Sequence, residues 1–177
     1  PGADIKVPWE LARLQHLPGL ALAFILARQG GADFETPGVY EDEFRNQSLD
    51  FMAANPPGFG VNWVCPMDVA IRAANLCLAL GLFCRHGARF DDDFMAEMAA
   101  SLTAHGRHIK THLEWHPKHR ANHYLANICG LLFIAATLPS SLETEDWLVF
   151  STDQLIFEVE RQFTPDGANF EASTCYH

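Results

Sequence analysis

Two short stretches of the chain concentrate polar, aromatic and titratable side chains against a background of apolar helical sequence. The first is Gln162 to His177, QFTPDGANFEASTCYH, in which Asn169, Glu171, Tyr176 and His177 follow a Pro165-Asp166-Gly167 turn signal. The second is the pair Asn122-His123, polar at the head of a long apolar segment. Two adjacent titratable rings, Tyr176 and His177, suggest a site, and the polarity of Asn122-His123 has no obvious reason unless the pair caps a helix or lines a site. Each group also has a structural reading. Asn122 stands where a helix N-cap belongs, Asp166-Gly167 reads as a turn, and Glu171 reads equally as a cap or anchor of a following helix.

The charge balance narrows the partners. A formal net charge of -10 leaves no basic face for nucleic acid, whose phosphates demand one. The local exception lies between His105 and His123, where Arg107, Lys110, Lys118, Arg120 and six of the nine histidines meet one acid, Glu114. This reads as a basic field of mostly solvated imidazoles. No metal is expected from the series His105, His108, His112, His116, His119 and His123: there is no HExxH, Pro117 interrupts the helical spacing, and no carboxylate or Cys completes a tetrahedral set at a natural offset. The five cysteines are odd in number and mostly set in apolar helical sequence, so they read as core residues rather than a disulfide framework. No uncharged apolar run reaches the roughly 18 to 20 residues of a membrane span.

The elements that must position these groups are helices. WELARLQHLPGLALAFILARQ has apolar residues at helical spacing and predicts a first helix bent at Pro18. A polar amphipathic helix runs from about Tyr40 to Ala54, stopped by Pro56-Pro57. Asp68 to Cys84 is apolar on nearly every face and predicts a buried helix, with Asp68 and Arg72 as an internal ion pair four residues apart. Asp91, Asp92 and Asp93 open an outer helix with one apolar stripe; YLANICGLLFIAATL is again apolar all round; Glu143 to Phe163 is again outer.

The chain therefore alternates buried and amphipathic helices at about 55 to 60 residues per pair, with no strand pattern, which predicts an all-α fold of stacked antiparallel αα-hairpins in an inner and an outer ring. In such an array every loop leading into an inner helix emerges on one rim. That rim gathers Lys6, Trp9 and Glu10, then Asn62 and Trp63, then Arg120, Asn122 and His123, then Asn169, Glu171, Tyr176 and His177. The set suits a carbohydrate cleft, since Trp faces stack on sugar rings and amides and Arg bond their polar substituents. Trp63 has a rival reading as a packing residue.

The blocks DIKVPWELARLQHL, GVNWVCPMDVAIRAAN, NHYLANICGLLF and QFTPDGANFEASTCYH together resemble the N-terminal helical domain of the heparinase II/III family of polysaccharide lyases, over essentially the whole chain. The resemblance implies part of an incomplete (α/α) toroid, with residues 1–177 a fragment of it and a C-terminal β-sandwich region expected beyond. It implies that Tyr176 matches the catalytic tyrosine and that Asn122 and His123 match the pair engaging the substrate carboxylate. Asn62, Trp63, Arg120, Glu171 and His177 are the further substrate-binding candidates.

The implied reaction is β-elimination on a uronate: the C5 proton is removed, the enolate is held by Asn122 and His123, and the C4 oxygen leaves. The implied partner is an anionic polysaccharide, without nucleic acid, membrane or a cofactor in this stretch, in a periplasmic or secreted setting, with the cytoplasm left open. Two alternatives stand beside it. One is a glycoside hydrolase on a similar toroid using carboxylates such as Asp166 and Glu171; the other is a helical repeat module that binds glycan or protein without turnover.

Overall fold

The computed structural model describes residues 2, 4–118 and 122–170. Arg120, Glu171, Tyr176 and His177 lie outside the described residues, as does Cys175. Among the described residues there are seven α-helices and one single-turn 3-10 segment, Val61–Trp63: α1 Lys6–Leu11, α2 Leu17–Arg28, α3 Pro37–Ala54, α4 Pro66–Arg85, α5 Asp92–Thr111, α6 Asn122–Thr137 and α7 Leu142–Gln162. The only β pairing among them is an isolated antiparallel bridge between Phe163 and Asn169.

The expected first helix is two helices. Pro18 sits in the first turn of α2, where its missing N–H costs nothing, and the chain reverses before it at Leu14, whose φ is 54°. The reversal is held by α4. Arg13 Nε meets Asp68 Oδ1 at 2.6 Å, Asn75 Nδ2 donates to Arg13 O at 2.9 Å, and Arg72 Nη1 donates to Ala12 O at 3.3 Å.

At α5 the expected acids open the helix, while α7, expected to open on Glu143, begins at Leu142 behind a serine cap. Asp91 caps α5 by accepting from Phe94 N at 2.9 Å, and its carboxylate also meets Arg45 Nε at 2.8 Å. Ser141 and Thr144 form a reciprocal capping box at α7, with Glu143 and Glu145 in its first turn.

The helices pair as hairpins, α2 with α3, α4 with α5 and α6 with α7, and α4 packs against both α2 and α6, so α2, α4 and α6 form one row. Gly130 brings α6 close to α4: a Cβ there would stand 2.7 Å from Ala70 backbone atoms. By length and composition α4 is apolar enough to cross a membrane, yet Asp68 and Arg72 within it are buried, and its neighbours in the row make it the core helix. The row is not apolar-buried on every side: Leu22, Leu26, Leu78 and Phe133 are exposed. On the outer helices α5 and α7, one stripe is buried, through Phe94, Met98, Leu102 and Ile109 and through Trp147 and Ser151. Phe24, Phe44, Phe83, Phe90 and Phe94 form one aromatic cluster, with ring centroids 4.9 to 5.9 Å apart.

Candidate functional site at the rim

Asn122 and His123 open α6 and are half-buried, and α6 ties down the loop Leu113 to Lys118 that precedes it in the chain. Glu114 N donates to Asn127 Oδ1 at 2.8 Å, and Asn127 Nδ2 returns a bond to Glu114 Oε2 at 3.3 Å. The other carboxylate oxygen, Glu114 Oε1, lies 2.7 Å from His123 Nδ1. Asn127 is fully buried, so the loop, the carboxylate and the imidazole are referenced to the core helix rather than to solvent. A carboxylate on Nδ1 fixes the ring orientation and favours a proton on that nitrogen.

Cys65, at the head of α4, comes up to the same point. Its sulfur, a Glu114 oxygen and a His123 nitrogen all lie within 4.8 Å of one another. Burial, with the neighbouring Asp68 carboxylate, pushes the Cys65 thiol up to about 12, so it is protonated near neutral pH.

The tail turns back toward this loop. Gly167 N donates to Thr164 O at 2.8 Å and Thr164 N to Ala168 O at 2.9 Å, with Gly167 at φ 88°; the Pro165-Asp166-Gly167 turn forms as its residue types require. Asp166 Oδ1 accepts from Thr164 Oγ1 and from Ala168 N, and these bonds hold its carboxyl below the usual range. Phe170 N donates to Gln162 O at 2.9 Å, and Phe170 lines a cavity of about 180 Å³ with Pro117, Lys118, Glu158, Arg161 and Gln162.

Other sequence expectations change. Trp63 is only 4% exposed, donates from Nε1 to Asn55 O at 3.1 Å, and packs its ring 4.6 Å from His105, so it is a packing residue and offers no open face for a sugar. Asn62 is half-buried and bonded to Asn55 Oδ1 at 2.8 Å, with its carbonyl accepting from Arg72 Nη2 at 3.1 Å. Asp68 pairs with Arg13 rather than Arg72. On α4 the Arg72 side chain points instead to α5, where Nε donates to His105 Nε2 at 2.9 Å, and it stacks near Phe51 and Trp63 at 4.9 and 5.2 Å. Desolvation brings Arg72 down to about 10.

His105 departs from the expected solvated series. It is fully buried, its Nδ1 lies 2.7 Å from Ser101 O, and burial with the Arg72 charge pulls it down to about 3, so it is the neutral acceptor for the buried guanidinium. The basic field is also smaller than expected. Arg107 makes two bonds to Glu143, at 2.8 and 2.9 Å, and Lys110 meets Asp146 at 3.3 Å, acids that α7 brings across from elsewhere in the sequence. Among the described cysteines, Cys65 and Cys77 are buried as expected, Cys129 is half-buried and Cys84 is exposed; all four are free thiols.

The residues not foreseen as site members are Glu114, Cys65 and Asn127. Glu114 alone carried a signal, as the one acid in a basic stretch.

A row of core helices, each with an outer partner, defines an αα-hairpin array. The chain belongs to the heparinase II/III N-terminus family, whose profile matches residues 2–177. It is 26% identical over 182 aligned positions to a heparin-sulfate lyase of Pedobacter heparinus; the match takes in all of this chain and 26% of that protein, so the chain spans about a quarter of the relative's length. No solved structure gives a significant match.

Proposed function

We propose that this chain is the helical part of a polysaccharide lyase that cleaves an anionic, uronate-containing polymer by β-elimination. Tyr176 moves a proton at the scissile bond, and Asn122 and His123 stabilise the charge on the uronate carboxylate as C5 is deprotonated. The observation that carries this reading is the family match over residues 2–177; beside it, Gln162 and Phe170 of the last matching block line a cavity with Pro117 and Lys118, a few residues before Asn122 in the sequence. Preorganised donors aimed at a developing oxyanion are the largest contribution such a site can make, and Glu114 preorganises His123. Arg120, Glu171 and His177 complete the substrate contacts in this reading, and a β-rich C-terminal region supplies the second proton-transfer group in a periplasmic or secreted protein.

The hydrolase alternative needs a carboxylic acid whose pKa is raised so that it is protonated at working pH. Asp166 moves the other way, held down by Thr164 and Ala168, and its oxygens serve the turn.

The deciding experiment is digestion of uronate-containing polysaccharides by the full-length protein, followed by ultraviolet absorbance and mass analysis. A lyase releases ends with a C4 to C5 double bond that absorb in the ultraviolet. Saturated ends, each heavier by one water, would mean hydrolysis, and binding with no products would mean a recognition module.

A further inference from the structure

Three donor groups of different chemistry meet at the rim from three separate elements. Cys65 comes from the head of α4, Glu114 from the loop after α5, and His123 from the first turn of α6, and their donor atoms lie within 4.8 Å of one another. Two of them are already in register, since His123 Nδ1 and Glu114 Oε1 are 2.7 Å apart. The third is anchored, because Cys65 is only 9% exposed. Glu114 has the outer support typical of a ligating carboxylate, with Asn127 Nδ2 on its second oxygen at 3.3 Å. Nearby, Asp68 adds a second negative charge, partly offset by Arg13.

We propose that Cys65, Glu114 and His123 form a binding site for a zinc-class divalent cation. A thiolate, an imidazole and one carboxylate oxygen are a borderline-soft set, suited to Zn²⁺ or Co²⁺ and unsuited to Ca²⁺ or Mg²⁺, which take oxygen cages. Ligand atoms on a tetrahedral zinc ion stand about 3.5 Å apart, so the widest gap closes by up to about 1 Å and the His123–Glu114 pair opens slightly. The ion takes the place of the proton between His123 Nδ1 and Glu114 Oε1, which passes through solvent to His123 Nε2 so that the ring stays neutral, and displaces the Cys65 thiol proton, which goes to solvent as the sulfur–metal bond forms. Three protein ligands leave a fourth position for water, on the side of the half-exposed His123. The proposal goes beyond the lyase reading and is tested without substrate.

The test is cobalt and zinc binding by the full-length protein after chelator treatment. Co²⁺ should produce a near-ultraviolet thiolate-to-metal absorption band, displaced by Zn²⁺, and each Co²⁺ bound at this site should release the thiol proton. In Cys65→Ser the band should vanish, and in Glu114→Gln zinc affinity should fall by at least about 100-fold, since even outer-shell partners are worth 10- to 100-fold. Circular dichroism of the metal-free variants checks that both fold. Absence of the band in the wild-type protein overturns the site, whatever the variants do. A band that persists in folded Cys65→Ser, or unchanged zinc affinity in folded Glu114→Gln, overturns it equally.

Discussion

Substitutions at single residues separate groups that act on the substrate from groups that hold the rim together. Under the lyase reading, Tyr176→Phe removes one hydroxyl from the proton-transfer step and little contact area. Turnover should then fall below detection in the ultraviolet assay while polysaccharide affinity, read by calorimetry, stays nearly unchanged. Asn122→Ala should lower kcat by about 100-fold or more through loss of an enolate donor, and a KM effect without a kcat effect would assign Asn122 to ground-state binding instead.

His105 makes a prediction of a different kind. Its folded pKa of about 3 lies below the value of about 6.5 for an imidazole in the unfolded chain, so the unfolded state takes up the proton first. The stabilisation by neutral His105 is therefore fully present above about pH 6.5 and is lost as the pH falls toward 3, with a slope approaching ~1.4 kcal/mol per pH unit. Urea unfolding at pH 7.5, 6 and 5, values set by the ~6.5 midpoint, should show that slope. His105→Gln, which keeps an acceptor for Arg72 but does not titrate, should flatten it whatever its baseline stability. An unchanged slope in the variant would show that His105 does not set the acid sensitivity.

At the scale of elements, glycine sets the contact between α4 and α6 at Gly130, while an exposed glycine of α4, Gly81, takes no part in packing. At Gly130 an added methyl would stand 2.7 Å from Ala70 backbone atoms, which cannot rotate away. Gly130→Ala should therefore destabilise by about 1 to 3 kcal/mol despite the better helix propensity of Ala. At Gly81, also helical, nothing stands within 4 Å of the added Cβ, and Gly81→Ala should stabilise by about 0.5 to 1 kcal/mol. Denaturant midpoints of the two variants should move in opposite directions. The loop before α6 is an element in the same sense, fixed by the reciprocal bonds of Glu114 and Asn127, and this positions His123 more firmly than a helix end alone would.

Across the whole molecule the two ends of α4 face different environments. Its C-terminal end carries Phe83 into the aromatic cluster, with Phe24 at 5.0 Å and Phe44 at 4.9 Å. Its N-terminal end carries Cys65, Asp68 and Arg72, which tie the chain reversal at Leu14, the Asn62 carbonyl and the buried His105 to one another. The aromatic cluster is thus an apolar core at one end of α4, and the polar network is buried at the other. Phe83→Ala should cost about 3 to 5 kcal/mol, whereas a polar substitution at Val149, which is 63% exposed on α7, should stay within about 0.5 kcal/mol. Chemical denaturation of the two variants checks the contrast.

What the sequence determined by itself was periodic or local. Apolar spacing was enough for the helices from α3 onward and for α4 and α6 as core helices, though it ran α1 and α2 into one, and the acids at Asp91 marked where α5 begins. The Pro165-Asp166-Gly167 turn needed only its own residue types, because Gly167 takes a φ that few other residues tolerate. The polar pair Asn122-His123 stood out for the same reason, against an apolar segment with no use for it. Tertiary structure alone decided partnership. Asp68 and Arg72 share a helix face at the spacing of an ion pair, yet Arg13 reaches Asp68 and His105 receives Arg72, because the α1–α2 reversal and α5 pack against that face. Arg107 and Lys110 read as a free basic field until α7 laid Glu143 and Asp146 beside them. Cys65 and His123 are 58 positions apart, and no spacing rule within a helix joins them; only the packing of α4 against α6, with the loop of Glu114 between their heads, brings sulfur, carboxylate and imidazole to one point.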